Sequence, residues 1–220
     1  MHSTADAPLG VVGVVEAVTA RLRERVLGGE LRSGTPLTEA FVSEEYAVAR
    51  PSAKAAIEQL VATGLLERTA HRSARVAVID PDAVRDVYRT RARIESAALR
   101  ELASSRTVPA EAVSANAEIL AMPAGPDPAT VDPDLRFHTA LIDALGSERT
   151  ARMYRSVLDE ARMCMAQVQG RRLLDAAIIA TQHAEILAAL AAGESDRATS
   201  VLELHLSSAR ERLVEALGSD

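Results

Sequence analysis

The hydrophobic pattern of the chain changes at Ile79-Asp80-Pro81, and this change limits the possible folds more than any other feature. Before it, short helical stretches lead into a β-rich end; after it, nearly every segment has the three- and four-residue periodicity of a helix. No later segment alternates as a strand does. We therefore predict a mixed domain at 1–79 and an all-helical domain at 80–220, the second long enough to bury its own core.

The first part has the order of elements found in a winged helix-turn-helix. In sequence order we predict a helix at 11–27, a turn at Gly34-Thr35-Pro36, a short helix capped by Thr38 and ending near Glu45, a helix opened by Pro51 and closed by Gly64, and strands at 65–68 and 75–79. In such a unit the last helix enters the DNA major groove, and its early residues reach base edges.

The second part predicts an antiparallel bundle of six helices. The helical stretches are 81–105, 109–121, 131–146, 148–169, 171–193 and 195–217. The breaks between them contain proline or glycine, and Asp132-Pro133 is predicted as an N-cap followed by a first-turn proline. The fold class is therefore mainly α, with the winged unit preceding a helical bundle.

The net charge of −6 is unevenly placed along the chain. Residues 1–79 are neutral overall, yet residues 46–79 contain five basic side chains against two acidic ones. The five are Arg50, Lys54, Arg68, Arg72 and Arg75. This modest basic patch is compatible with duplex DNA, whereas the scattered aromatic residues disfavour a stacking surface for single strands.

The cellular compartment is predicted from features that the sequence lacks. There is no run of eighteen apolar residues, and Met1 to Pro8 contains no basic region followed by an apolar stretch. Cys164 is the only cysteine, which excludes an internal disulfide and a thiolate-rich zinc site. We expect a cytoplasmic protein without a membrane span.

Three histidines of the second part lie on different predicted helices. His138, His183 and His205 each fall on or beside an apolar stripe, and Asp134 precedes His138 by four residues, on the same helix face. One aspartate and three histidines that converge in a core are a plausible ligand set for Zn²⁺, Ni²⁺ or Mn²⁺. Taken one at a time, each histidine is better interpreted as a hydrogen-bonded core residue, and Asp134 as a residue that favours a helix start through the helix dipole, so both interpretations stay open.

Two further positions have competing interpretations. Arg91 and Glu95 are four residues apart, and the spacing alone favours an exposed ion pair over an arginine that points inward to grip a carboxylate. Cys164 lies between Met163 and Met165 and is read as a small buried residue, not as a nucleophile.

The motifs resemble those of a known family. The stretches 26–39, 48–57 and 62–66 are similar to the DNA-binding domain of GntR-family transcriptional regulators. The second part resembles the helical ligand-binding domain of the FadR subfamily, through the segments 88–95, 134–138 and 183–205. Six helices with the Asp-x-x-x-His, His, His set are similar to the VanR-like branch.

The resemblance implies a homodimer that binds a DNA operator and acts as a repressor or activator. It implies that Asp134, His138, His183 and His205 are metal ligands and that Arg91 faces a small carboxylate effector. For DNA contacts it points to residues of the recognition helix and of the wing loop, namely Arg50, Ser52, Lys54, His71 and Arg72.

The DNA-binding part departs from the family pattern. Ser52 stands where a proline is usual, Lys54 replaces a second arginine, and Ala40 stands where an arginine normally contacts the backbone. The wing segment 71–74 lacks the usual glycine. Because lysine cannot grip guanine bidentately, we expect weaker or unusual operator binding that depends more on dimerisation.

Three hypotheses follow from the sequence. The first is a metal-containing, effector-responsive DNA-binding regulator. The second is a metal-dependent hydrolase on a helical scaffold, although no His-Glu-x-x-His pair and no adjacent general base are evident. The third is a helical interaction module whose histidines only fill the core.

Overall fold

The computed structural model describes residues 13–68, 73–123, 125, 128–167 and 175–218. The chain forms two compact units, one ending at Ala77 and the other beginning at Val78.

The first unit combines three helices with a small antiparallel sheet. Its elements are α1 (Val14–Leu27), β1 (Pro36–Leu37), α2 (Glu39–Glu45), α3 (Arg50–Ala62), β2 (Leu66–Glu67) and β3 (Ala74–Val76). β3 is the central strand, with β1 and β2 on its two sides. Pro36 pairs with Arg75 and Leu66 with Val76. This is the winged helix-turn-helix predicted from the sequence.

Apolar side chains from all three helices make the core of this unit. Leu22, Val42 and Ile57 are fully buried, one from each helix. The predicted cap at Thr38 is confirmed, because its hydroxyl oxygen accepts a hydrogen bond of 3.0 Å from the backbone N–H of Phe41. This capping explains why a helix of only seven residues begins sharply at this point.

The sheet has one strand more than predicted. The segment containing Thr35 and Pro36 was predicted only as a turn, but the N–H of Gly34 donates to the carbonyl of Val76, and the N–H of Val76 donates to Thr35. A strand of two residues is too short to show an alternating pattern, so only tertiary pairing defines it. The predicted strands are also shorter than expected, and residues 69–72 of the predicted wing loop, with His71 and Arg72, lie outside the described residues.

The second unit contains six α-helices in its described part, as predicted. They are α4 (Pro81–Ser104), α5 (Ala110–Leu120), α6 (Val131–Asp143), α7 (Glu148–Gln167), α8 (Ala176–Ala192) and α9 (Ser195–Gly218). The carboxylate of Asp80 caps α4 by accepting from the N–H of Ala83 at 2.8 Å, and Asp175 caps α8 in the same way. α4 packs against α9, α6 and α7, and α8 packs against α5 and α9.

Within the described residues, no helix is both long enough and apolar enough to cross a membrane.

Candidate metal centre

Four side chains with metal-binding donors meet in the core of the helical unit. Asp134 and His138 lie one turn apart on α6, His183 lies on α8, and His205 lies on α9. All four are buried, and one donor atom from each lies within 4.8 Å of the others. The spacing of four residues puts the first two donors on one face of α6. The structure thus brings together every residue of the predicted ligand set.

The start of α6 differs from the prediction. Its N-cap is Thr130, which ends a 3-10 turn, and Asp132 lies inside the first helical turn in an exposed ion pair with Arg162. The prediction of Asp132 as the N-cap was wrong because the preceding turn starts the helix two residues earlier. Pro133 is tolerated there, since the first N–H groups of a helix have no intrahelical acceptor.

The donor atoms have the separations expected of ligands that share one ion. Asp134 Oδ1 lies 3.4 Å from His183 Nε2, 3.6 Å from His205 Nε2 and 3.8 Å from His138 Nε2. The Nε2 atoms of His138 and His205 are 3.1 Å apart. Two ligands in tetrahedral positions around zinc, each about 2.0–2.1 Å from the ion, are about 3.3 Å from each other.

Hydrogen bonds orient two of the three imidazoles. His138 Nδ1 lies 2.6 Å from Glu95 Oε2, and His205 Nδ1 lies 2.9 Å from Gln182 Oε1. Because an ionised carboxylate and an amide oxygen can only accept, Nδ1 donates in both rings, and in the neutral rings that bind metal the facing Nε2 atoms present lone pairs. Two lone pairs 3.1 Å apart, next to the Asp134 carboxylate, repel one another unless a cation lies between them.

Several buried polar atoms of the cluster have no hydrogen-bond partner among the described residues. They are Asp134 Oδ1 and both ring nitrogens of His183. The ring of His183 is held instead by stacking on Phe137, with centroids 3.6 Å apart and planes 5° from parallel. Buried polar groups are almost always satisfied in folded proteins, so these atoms indicate a missing partner. A carboxylate with three imidazoles suits Zn²⁺, Ni²⁺ or Mn²⁺.

The electrostatics of the cluster favour metal-binding protonation states. Burial alone would raise the pKa of Asp134, but its interactions with His183, His138 and His205 outweigh this effect and hold the pKa well below its usual range. Burial lowers the pKa of His183 and lowers that of His205 further. An ionised carboxylate and neutral imidazoles are the forms that coordinate a metal.

Arg91 and Glu95 form a buried ion pair, not the exposed pair that the spacing favoured. Arg91 Nε donates to Glu95 Oε1 at 2.9 Å, and the two side chains are 1% and 0% exposed. The expectation of an exposed pair was wrong because the apolar residues Tyr88 and Leu99 of α4 turn this face of the helix into the bundle. The Tyr154 hydroxyl donates to the same Glu95 oxygen at 2.6 Å.

These contacts keep Glu95 ionised. Burial, the largest influence, would raise its pKa, but the electrostatic interactions with His138 and with the guanidinium of Arg91 and the hydrogen bonds from His138 and Tyr154 lower it to about 2. Arg91 Nη2 is buried and has no hydrogen-bond partner within the described chain. Arg91 is therefore anchored through Nε while a second donor stays available.

The sequence missed part of this site. Sequence patterns identified Glu95 only as the partner of Arg91, and they gave no indication of a role for Gln182 or Tyr154. Glu95 contacts His138 over 43 positions and Tyr154 over 59, while Gln182 contacts His205 over 23. No spacing rule links residues on different helices, so only the tertiary packing shows these contacts.

Two basic side chains of the predicted patch lie exposed at the start of α3. Arg50 and Lys54 are exposed, Ser52 is half-buried, and in the described part of the chain neither Arg50 nor Lys54 forms an ion pair. The other described members of the basic patch are paired. Arg68 lies 2.5 Å from Glu58, and Arg75 lies 2.7 Å from Glu67. Among the described members of the patch, the basic side chains without an ion pair therefore lie on the first two turns of α3.

Cys164 is fully buried in the second unit, as expected from the sequence. Burial, together with the negative charge of Glu160, raises the pKa of its thiol to about 12. At pH 8 this reduces the reactive thiolate about a thousandfold relative to an ordinary cysteine. We expect a chromogenic disulfide reagent to react with the folded chain at least a hundredfold more slowly than with the chain in urea. Equal rates would mean that Cys164 is accessible.

A winged helix-turn-helix followed by a helical unit with a buried donor cluster defines a class: DNA-binding regulators with a helical ligand domain. Comparison with known proteins gives the family. Residues 14–76 match the bacterial regulatory proteins of the gntR family, and residues 86–208 match the FCD domain. The chain belongs to the GntR family and carries an FCD domain, as its motifs implied. It is a DNA-binding transcriptional regulator and not an enzyme, so the hydrolase alternative is not supported.

The similarity extends over nearly the whole chain. The HTH-type transcriptional regulator BphR of Paraburkholderia xenovorans is 27% identical over 219 residues, covering 94% of this chain and 89% of that protein. A GntR regulator from Rhodococcus sp. RHA1 has a TM-score of 0.75 at 24% identity, covering 91% of this chain and 97% of that one. E. coli McbR/YncC has a TM-score of 0.72 at 15% identity, covering 93% and 99%. The two structures share the fold.

Proposed function

We propose that the protein is a homodimeric transcriptional repressor, acting in the cytoplasm, that releases its operator when a small carboxylate binds at a metal ion in the helical unit. Asp134, His138, His183 and His205 hold the ion. The convergence of lone pairs from His138 and His205 on the unpartnered carboxylate oxygen of Asp134 supports this proposal more than any other observation. FCD domains are known to bind metal ions.

A carboxylate is the effector chemistry that fits these surroundings. A divalent ion held by four protein ligands supplies a Lewis acid that binds a carboxylate oxygen when a coordination position stays open. Arg91 is fixed by Glu95 through Nε, and its buried, unpartnered Nη2 can donate to the same carboxylate. Charge-assisted hydrogen bonds from a guanidinium are among the strongest that a protein offers to such a group.

For DNA recognition we propose Arg50, Ser52 and Lys54 at the start of α3, together with His71 and Arg72 of the predicted wing loop. The exposure of Arg50 and Lys54, without ion-pair partners in the described residues, supports their role. An arginine reads guanine bidentately, whereas Lys54 supplies charge to the phosphate backbone. Two copies in a homodimer would read the two halves of a short palindrome.

The experiment is a fluorescence-anisotropy titration of the full-length chain on labelled DNA from upstream of its own gene. It compares Zn²⁺-loaded and chelator-treated protein, each with and without a panel of small mono- and dicarboxylates. We expect sequence-specific binding that one member of the panel weakens between 5- and 150-fold, the usual range of allosteric coupling, only in the metal-loaded protein.

The controls separate the parts of this proposal. A scrambled duplex measures the salt-sensitive binding that phosphate contacts alone provide. An Asp134→Ala variant is expected to bind the operator without responding to the panel. Equal affinity for the upstream DNA and the scrambled duplex would refute sequence-specific binding to this fragment. A response of Asp134→Ala to the carboxylates as large as that of the wild type would refute the metal site as the effector site.

A further inference from the structure

The two oxygens of the Glu95 carboxylate have different partners. Oε1 accepts from Arg91 Nε at 2.9 Å and from the Tyr154 hydroxyl at 2.6 Å. Oε2 faces His138 Nδ1 at 2.6 Å. All four side chains are almost fully buried, so water does not compete for these bonds. Glu95 therefore connects Arg91, whose Nη2 has no partner among the described residues, to His138 of the metal centre.

We propose that Glu95 is the positioning residue of the metal centre: anchored by its ion pair with Arg91, it keeps the His138 proton on Nδ1 so that Nε2 can coordinate the ion. This inference rests on the proposed metal site. An ionised carboxylate has no proton to donate, so the hydrogen bond to His138 forms only when Nδ1 is the donor. Outer partners of this kind set the orientation and basicity of a metal-binding imidazole.

The arrangement makes the effect of Glu95→Gln specific and predictable. A guanidinium has no acceptor atom, so Arg91 Nε requires the amide oxygen of the new side chain at the Oε1 position. The amide nitrogen then faces His138 Nδ1 and donates to it. Nδ1 becomes an acceptor, and the ring proton moves to Nε2, which is the atom that faces Asp134 and His205. A nearly isosteric change thus blocks the coordinating nitrogen.

Two measurements on the full-length chain test this directly. The first is a long-range ¹H–¹⁵N spectrum of histidine-labelled, metal-free protein at pH 8, which reports which nitrogen of His138 carries the proton. We expect it on Nδ1 in the wild type and on Nε2 in Glu95→Gln. The second is the Zn²⁺ dissociation constant from competition with a chromophoric chelator, expected to rise between 10- and 100-fold in the variant.

Tyr154→Phe is the matched control. It removes one hydrogen bond from the same carboxylate but leaves Arg91 and the negative charge in place. We expect Nδ1 of His138 to stay protonated and the Zn²⁺ dissociation constant to stay within about threefold of the wild type, a change far below that expected from loss of an outer partner. A general weakening of the core would instead affect both variants alike.

Several outcomes would overturn the inference. A neutral His138 ring with its proton on Nε2 in the wild type would do so even if Glu95→Gln failed to fold. A folded Glu95→Gln variant whose Zn²⁺ dissociation constant is within threefold of the wild-type value would also overturn the inference. If the wild type bound no Zn²⁺ at all, the proposed metal site would be wrong, and the spectrum would still decide whether Glu95 fixes the proton on Nδ1.

Discussion

The double variant Asp134→Ala/His138→Ala is expected to be purified without metal, whereas the wild type retains about one divalent ion per chain. The variant removes two of the four donor atoms that lie within 4.8 Å of one another. It removes the only carboxylate of the set, so the remaining imidazoles would have to hold a dication without a neutralising charge. Elemental analysis by inductively coupled plasma mass spectrometry, after dialysis against a weak chelator, measures the stoichiometry.

Metal loss should also appear as a loss of stability in the wild type. With free ion at about a thousand times its dissociation constant, binding stabilises the native state by about 4 kcal/mol. For a chain of this length that corresponds to roughly ten degrees in melting temperature. We expect chelation to lower the melting temperature of the wild type by this amount and to leave that of the double variant unchanged.

Asp132→Ala is the matched control for this experiment. Asp132 lies two residues from Asp134 on the same helix, but it is exposed and pairs with Arg162. The substitution changes the charge of α6 as Asp134→Ala does and leaves the buried cluster intact. Full metal content in Asp132→Ala combined with none in the double variant locates the ion. Stoichiometric metal in the double variant would place it elsewhere.

The fold was predictable because its helices obey local rules. Periodicity placed six helices in the second unit, and Thr38 caps α2 as its position suggested. The strand at Pro36–Leu37 was missed because it exists only through pairing with β3. Asp132 was misread as a cap because a 3-10 turn before α6 leaves no signature in the sequence.

The four donor residues of the candidate site were predictable, but the contacts that surround them were not. The i, i+4 spacing and the apolar stripes identified the residues that converge, because both depend on a single helix at a time. The burial of Arg91 and Glu95 was not predictable, since the same spacing occurs on exposed helix faces. The contacts of His138 with Glu95 and of His205 with Gln182 depend on how helices pack across the bundle.

Arg50→Ala is expected to weaken operator binding at least about 30-fold, since two lost contacts of about 1 kcal/mol or more add to about 2 kcal/mol or more, and to leave binding to a scrambled duplex nearly unchanged. Arg50 is the first residue of α3, it is exposed, and it has no ion-pair partner among the described residues. A bidentate arginine–guanine contact contributes about 1–3 kcal/mol of discrimination, and in a homodimer the loss counts at both half-sites. Fluorescence anisotropy on the operator fragment, at several salt concentrations, measures both affinity and specificity.

Lys54→Ala should behave differently, and the contrast tests the assigned roles. If Lys54 neutralises a phosphate, its loss weakens specific and non-specific binding alike and lowers the magnitude of the salt slope by about one for each subunit. Arg21→Ala is the control for charge alone, because Arg21 is exposed on α1 and pairs with Glu24 at 3.2 Å. If Arg21→Ala weakened the operator complex as much as Arg50→Ala, net charge would account for binding, and the assignment of α3 as the recognition helix would fail.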